Sequence, residues 1–453
     1  MRVIKLGINT AMPTCRPFNT LLPEFRAGRD TPRAALERHL QEVAGMDALV
    51  RAFRSLDVAA ARRDADAATQ RWKAGAPLSE IDGMVIGVKD IIDVAGFPTR
   101  MNSPVFEQTA PAFQDASCVR AARRSGAVIL GKTETAEFAS GNSAPTRNPH
   151  DLKRSPGGSS SGSGAAVGAG MVSAAFGTQT QGSILRPASY CGAVGYKPSF
   201  GVLPLSGIHP VSGSHDHLGA LGASVADTWN LCRAVSDFCP GAGHKGLAGK
   251  ADPVRPARVA VMRMAAFDEL EPGCDAIFEA MLGRLSDAGV VVDCSTKAAL
   301  PANLVKILNG IFDASSGMMG WDMRWPYAGY AARWPGLLGE KITGLLAQAE
   351  QTTLAQYREW LSLRDAALAQ LVALRNTYDA ILMPAASGPA PKGFAFSGSR
   401  SFQVPWSFMG APAWSIPGLS VAGLPFGVQI AGFVGGDDVL VGHAAWLEQA
   451  LVQ

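Results

Sequence analysis

The segment running from Ser155 to Pro198, SPGGSSSGSGAAVGAGMVSAAFGTQTQGSILRPASYCGAVGYKP, constrains this chain more than any other. Its serines and glycines are too dense for an ordinary core element, yet small apolar residues that suit burial flank them. Such a stretch builds a site from backbone: glycines permit close approach and positive φ, and hydroxyls serve as nucleophiles or proton relays. A phosphate-binding loop would end in Gly-Lys-Ser/Thr, and no such ending is present. A flexible linker would not run directly into AAVGAGMVSAAFG, which reads as a tightly packed buried helix, and then into a second glycine-bounded serine. That serine, Ser183, lies 24 residues beyond Ser159, room for an outward helix and a return turn. Just before it, Thr178, Gln179, Thr180, Gln181 and Gly182 alternate polar side chains with amides able to converge on an oxyanion.

Lys89 interrupts the apolar run MVIGVKDIIDV, which reads as a strand. A lysine in such a run must snorkel, pair with a carboxylate, or lose its charge. Its neighbour Asp90 points to the opposite face of a strand and does not readily serve it. Three options stay open: a surface position on an edge strand, a distant partner, or a depressed pKa that leaves a neutral amine able to accept a proton.

Organisation along the chain is that of a layered α/β protein. Two helices are expected between Thr31 and Lys73, with Thr31 as cap and Pro32 opening the first. CVRAARRSGA followed by VILGKT reads as helix, turn and strand, and Ser224 caps a helix to Ser236 with Asp227 in its first turn. Residues 240–256 suggest an exposed linker between lobes. RVAVMRM, a helix over about 272–288 and VVVDC form a strand, helix, strand unit. A helix from Leu354 to Tyr378 leads into the strand DAILMPA. The aromatics Trp321, Trp325, Tyr327, Tyr330 and Trp334 either line a pocket or pack helices together.

With 453 residues, 47% of them hydrophobic and 17% charged, the chain has material for a large core. A formal charge of +3 gives no field that argues for nucleic acid or a membrane surface, so the expected partner is a small molecule. Seven cysteines without a CxxC pair indicate neither a disulfide framework nor a zinc site, and read as reduced thiols of a cytoplasmic protein. The opening MRVIKLGINTAMPTCRPF lacks an apolar run long enough for a secretory signal, and no spanning segment is apparent.

The pieces KD at Lys89, KTETAEFASG, TRNP, SPGGSSSGSGAAVGAG, GTQTQGSILRPASYCGAVGYKPSFG and SHDHLGALGASVAD, in that order and spacing, resemble the amidase signature family. DAILMPAASGPAP and GAPAWSIPGLSVAGLPFGVQIAGF resemble its closing section, so the likeness runs from about Leu21 to the C-terminus. The resemblance implies an α/β fold, a large mixed twisted β-sheet sandwiched between α-helices, as a single domain over 1–453. Within it, 1–80 would be a helical preface, 81–240 the signature core, 241–380 a variable region with the aromatic-rich segment, and 381–453 the end of the core. It also implies a serine, cis-serine, lysine triad with Ser183 as nucleophile, Ser159 as bridging serine and Lys89 as buried base. The oxyanion would be held by the N–H groups of Thr180, Gln181, Gly182 and Ser183. No metal or organic cofactor is implied. Ser160 is the runner-up for the relay, and Cys191 resembles a buried structural thiol. The histidines show no spacing for a Ser/His/Asp set, so His215 and His217 are structural or pocket-lining.

Two departures stand out. The family usually has Gly-Thr-Asp-Thr-Gly-Gly-Ser before the nucleophile, where this chain has Gln179 and Gln181. Gln179 keeps hydrogen-bonding capacity without the charge. Gln181 would carry a cost of roughly 1 kcal/mol if its backbone needed positive φ, and its side chain would intrude on or contact the substrate. Arg186 sits one position later than the family's arginine, so that role is not carried over to it. Candidate substrate contacts are Ser140, Asn142, Gln179 and Trp406, with Ser143, Phe408 and Met409 as further pocket candidates. The aromatics of 321–334 and 402–414, and few evident charged pocket residues, favour a neutral, partly apolar amide, anilide, ester or carbamate. The expected protein is a monomeric or homodimeric amidase. The alternatives are the glutaminase-type subunit of a transfer-RNA-dependent amidotransferase and, last, a non-catalytic family member.

Overall fold

A computed structural model describes residues 14–452. Most of the amino-terminal stretch read above for a secretory signal, residues 1–13, lies outside them. One mixed sheet of eleven strands runs through the described chain. The strands are β1 (Phe53–Leu56), β2 (Val85–Lys89), β3 (Val128–Thr133), β4 (Ala174–Gln179), β5 (Val194–Lys197), β6 (His217–Gly222), β7 (Arg258–Val261), β8 (Val291–Cys294), β9 (Ala380–Pro384), β10 (Ala413–Val421) and β11 (Leu424–Ala431). Their spatial order is β1-β3-β2-β4-β6-β5-β10-β11-β9-β7-β8. β2 pairs in parallel with both β3 and β4, and β7 with β8 and β9, while the other pairings are antiparallel. Helices cover both faces over two large apolar clusters, with Ile86 and Val88 in one and the alternate residue Val85 in the other.

β2 lies between two partners and is buried throughout, which explains why its sequence is apolar without alternation. Lys89 is therefore not an edge-strand lysine. The expected caps form: Thr31 accepts from the Ala34 N–H, and Ser224 from that of Asp227. Two elements differ from expectation. Between the first two long helices the chain inserts the short strand β1, whose Phe53-Arg-Ser-Leu carries too little pattern to announce itself. AAVGAGMVSAAFG also divides: the helix Ser161–Gly168 stops, and Ala174 onward becomes β4 because its backbone completes the ladder between β2 and β6.

That short helix can sit where it does only because it has no side chain at Gly162. A Cβ there would meet the Ala52 carbonyl oxygen at 2.2 Å and the Glu134 nitrogen at 2.3 Å. The Gly/Ser segment is thus packed directly against backbone, which brings Ser159 to the end of β2.

Candidate active site

Lys89 ends β2 fully buried, and no carboxylate among the described residues touches its amine. Its Nζ lies 2.8 Å from Ser159 Oγ, 2.9 Å from Thr178 Oγ1 and 3.4 Å from the Thr178 carbonyl oxygen. Burial pulls the amine down from the usual 10.5 to about 7, opposed by the charge of Asp216. Asp90, as strand geometry requires, is engaged elsewhere: it pairs with the buried Lys132 at 2.7 Å. A neutral amine has two hydrogens and one lone pair. The Thr178 oxygens can take the hydrogens, which leaves the lone pair for the Ser159 hydroxyl.

Ser159 and Ser183 line one cavity of about 360 Å³, together with Thr180, Gln181 and Gly182. The peptide before Ser159 is cis. The two serine segments are joined where the Ser160 N–H donates to the Ser183 carbonyl at 3.3 Å. Ser160 itself turns its hydroxyl to the Thr178 carbonyl and does not line the cavity.

The loop before Ser183 is organised by Gln179. Its Oε1 accepts from the N–H groups of Ile184 and Leu185, and its Nε2 donates to Ser407 Oγ, which donates in turn to the Gln181 carbonyl at 2.9 Å. Because the Gln181–Gly182 peptide is trans, fixing that carbonyl toward Ser407 turns the Gly182 N–H the opposite way. The N–H groups of Thr180, Gln181, Gly182 and Ser183 donate to no carbonyl among the described residues. Four unpaired donors in one buried turn form a place for negative charge. Asp216 steadies the same turn, accepting from Thr180 Oγ1 at 2.7 Å while its second oxygen takes the Val211 and Ser212 N–H groups.

Several expectations are corrected. Gln179 is fully buried and does not line the cavity, so it positions backbone and does not contact substrate. Gln181 has no positive φ, and the expected strain is absent. Its Nε2 donates to Ser315 at 3.0 Å, and its Oε1 is buried without a partner. Trp406 is buried with its Nε1 toward Met383 Sδ at 3.4 Å, away from the cavity lining. Asn142 is exposed beside Gly339, outside the lining, whereas Ser140 and Ser143 do line it.

The aromatic segment mostly packs on itself. Tyr327 and Tyr330 cluster with Phe106, Phe138 and His209, Trp321 stacks on Tyr357, and Trp325 is exposed. Aromatic lining comes from Phe312, Phe394 and Phe396 instead. His215 and His217 are buried outside the lining. Cys191 is a buried thiol whose pKa desolvation pushes up. Among the described residues no group of His, Cys, Asp and Glu could hold a metal ion, and no helix is long and apolar enough to cross a membrane.

Arg186, to which sequence reasoning carried over no role, forms part of the cavity wall. Buried on the helix Leu185–Cys191, it donates to the Gly158 carbonyl at 2.6 Å and the Gly398 carbonyl at 2.9 Å. The available signal was a charged residue in the otherwise uncharged stretch SILRPAS. The lining also holds Lys341 and Arg400 and, among the described residues, no aspartate or glutamate, contrary to the expectation of few charged pocket residues.

The mixed sheet and the serine-lined cavity, with the Lys89 amine behind Ser159, are those of an α/β enzyme. The chain belongs to the Amidase family, whose profile matches residues 34–441, and that family hydrolyses C–N bonds. It is 28% identical to one of the chains of the glutamyl-tRNA(Gln) amidotransferase of Clostridium botulinum (strain Alaska E43 / Type E3), over 91% of this chain and 92% of that one. Among solved structures, a crystal structure of an amidase superposes with a TM-score of 0.83 at 28% identity, covering 96% of this chain and 99% of the other. The native peptide amidase of Stenotrophomonas maltophilia gives 0.75 at 27% identity, with 96% of each chain covered.

The Gln179 network carries a test. Gln179→Leu leaves two N–H groups and the Ser407 hydroxyl without their partner, so kcat should fall by about 10- to 100-fold while KM moves by less than about threefold. Steady-state kinetics reads the split, and Gln179→Glu, which keeps the acceptor, should recover part of the loss.

Proposed function

We propose that this protein hydrolyses the C–N bond of a small amide through an acyl-enzyme on Ser183, with Ser159 and Lys89 as proton relay. Neutral Lys89 draws the proton from Ser159 as Ser159 takes that of Ser183, whose Oγ bonds to the carbonyl carbon. The oxyanion is held by the N–H groups between Thr180 and Ser183, each such donor contributing about 3 to 4 kcal/mol to the transition state. The relay then reverses: Ser159 protonates the leaving amine, the C–N bond breaks, and water releases the acid from Ser183. Carbamates and esters would enter by the same attack.

The observation that carries this reading is the buried Lys89 amine, unpaired with any carboxylate among the described residues and 2.8 Å from Ser159 Oγ. The similarity to an amidotransferase chain supports a second reading, glutamine hydrolysis for a partner. It is the weaker one here, because the ammonium of glutamine would face three cations and no lining carboxylate.

The experiment is a pH–rate profile. Protonated Lys89 cannot accept the Ser159 proton, so kcat/KM should rise with pH through about 7 and level above it. Activity that is flat from about pH 5 to about pH 9 would count against the amine as base.

A further inference from the structure

The cavity around Ser183 is electrostatically one-sided, and its three cations are not equivalent. Arg186 gives both Nη groups to the carbonyls of Gly158 and Gly398, and its Nε is buried without a partner among the described residues. Lys341 is exposed, its Nζ 3.4 Å from the Ala395 carbonyl. The Arg400 guanidinium is matched by no carboxylate among the described residues, and burial alone accounts for the lowering of its pKa. It is held over the Phe312 ring, 5.2 Å from the centroid. Its root lies against the oxyanion loop: a Cβ on Gly182 would sit 3.3 Å from Arg400 Cβ.

A planar fork of donors thus lines the same cavity as Ser183, its charge unanswered by a carboxylate among the described residues. An unpaired, partly desolvated cation is unfavourable alone and is relieved by an anion. The planar fork matches a carboxylate in bidentate fashion. Phe394, Phe396 and Met319 supply apolar wall for a short hydrocarbon spacer, and about 360 Å³ limits the ligand to a small molecule.

We propose that the substrate is a small amide carrying a carboxylate remote from the scissile bond, and that Arg400 binds this carboxylate. The inference rests on Ser183 as the reacting centre, and it reverses the neutral substrate that composition suggested. Arg400 is then the residue that sets specificity, and it acts on ground-state binding more than on the chemical step.

The test compares glutaramic acid with pentanamide, which differ in a terminal carboxylate against a methyl group. Ammonia release by the wild-type protein should favour the acid by about 100-fold or more in kcat/KM. Arg400→Met should bring the ratio to within about threefold of one, mainly through KM, and Arg400→Lys should retain part of it. Thermal melts confirm that the variants fold. Preference for pentanamide, or a ratio that survives in Arg400→Met, would overturn the proposal. If neither amide turns over, calorimetry decides: Arg400-dependent binding of glutaramic acid supports the proposal, and absent or Arg400-independent binding contradicts it. Labelling of Ser183 by a fluorophosphonate reports separately on the nucleophile. An unlabelled Ser183 with Arg400-dependent binding sinks the relay alone, and a labelled Ser183 that prefers pentanamide sinks the anion site alone.

Discussion

Ser183→Ala is expected to lower kcat/KM for amide hydrolysis by about 10⁴-fold or more, because the other hydroxyl on the loop with the unpaired amides, that of Thr180, is given to Asp216. Ser159→Ala should come close to it, and the double variant should be scarcely worse than either alone. Residues that act as one relay are strongly non-additive, and the residual rate then comes from the oxyanion donors and binding. Ser160→Ala should be far milder, since the Ser160 hydroxyl is turned to the Thr178 carbonyl. Single-turnover kinetics on the four proteins checks the ranking; additive losses at positions 159 and 183 would argue for separate roles.

Lys89→Met should couple a large loss to a gain. Activity should fall by about 10³-fold or more, with the acid limb near pH 7 removed, because the base that touches Ser159 is gone. Stability should move the other way. Burial depresses the folded-state pKa of Lys89 to about 7, so between that value and 10.5 the unfolded chain binds more protons than the folded one. Wild-type stability therefore rises with pH across this window, and the penalty is full below about pH 7 and gone above 10.5. Removing the amine should stabilise the protein by on the order of 2 to 3 kcal/mol near pH 6, after allowance for Thr178 oxygens left without a donor, with the advantage shrinking by about pH 9.5. Urea melts at the two pH values check it. A destabilised variant at the lower pH would mean that Lys89 is held charged by its surroundings.

The strands and helices with strong local signals were legible in the sequence: VIGVK and VILGKT as strands, and the Thr31 and Ser224 caps. β1 and the switch from helix to β4 were not, because both depend on ladder partners distant in the chain, and small residues such as those of AAVGAGMVSAAFG pack equally well in either element. At the site, Lys89 stood out because a lysine in an apolar run needs an explanation, and the Gly/Ser spacing drew attention to Ser159 and Ser183. Gln179 was visible as a departure but misread as a substrate contact. Its side chain faces the loop amides and Ser407, a residue 228 positions away, and no local pattern encodes that.

Arg400 was illegible for a related reason. Its significance lies in what is missing around it, a carboxylate, and absence of a partner is a property of the folded cavity alone. Trp406 was the converse case: an aromatic near an expected pocket is more often core, and here it is buried against Met383.

Whether Ser183 is the nucleophile, activated through Ser159 by Lys89, can be read from a fluorophosphonate reagent with peptide mass spectrometry. One adduct is expected, on Ser183, absent in Ser183→Ala and formed far more slowly in Lys89→Met. An adduct on Ser159 or Ser160 in the wild-type protein, or labelling that persists in Ser183→Ala, would contradict that assignment.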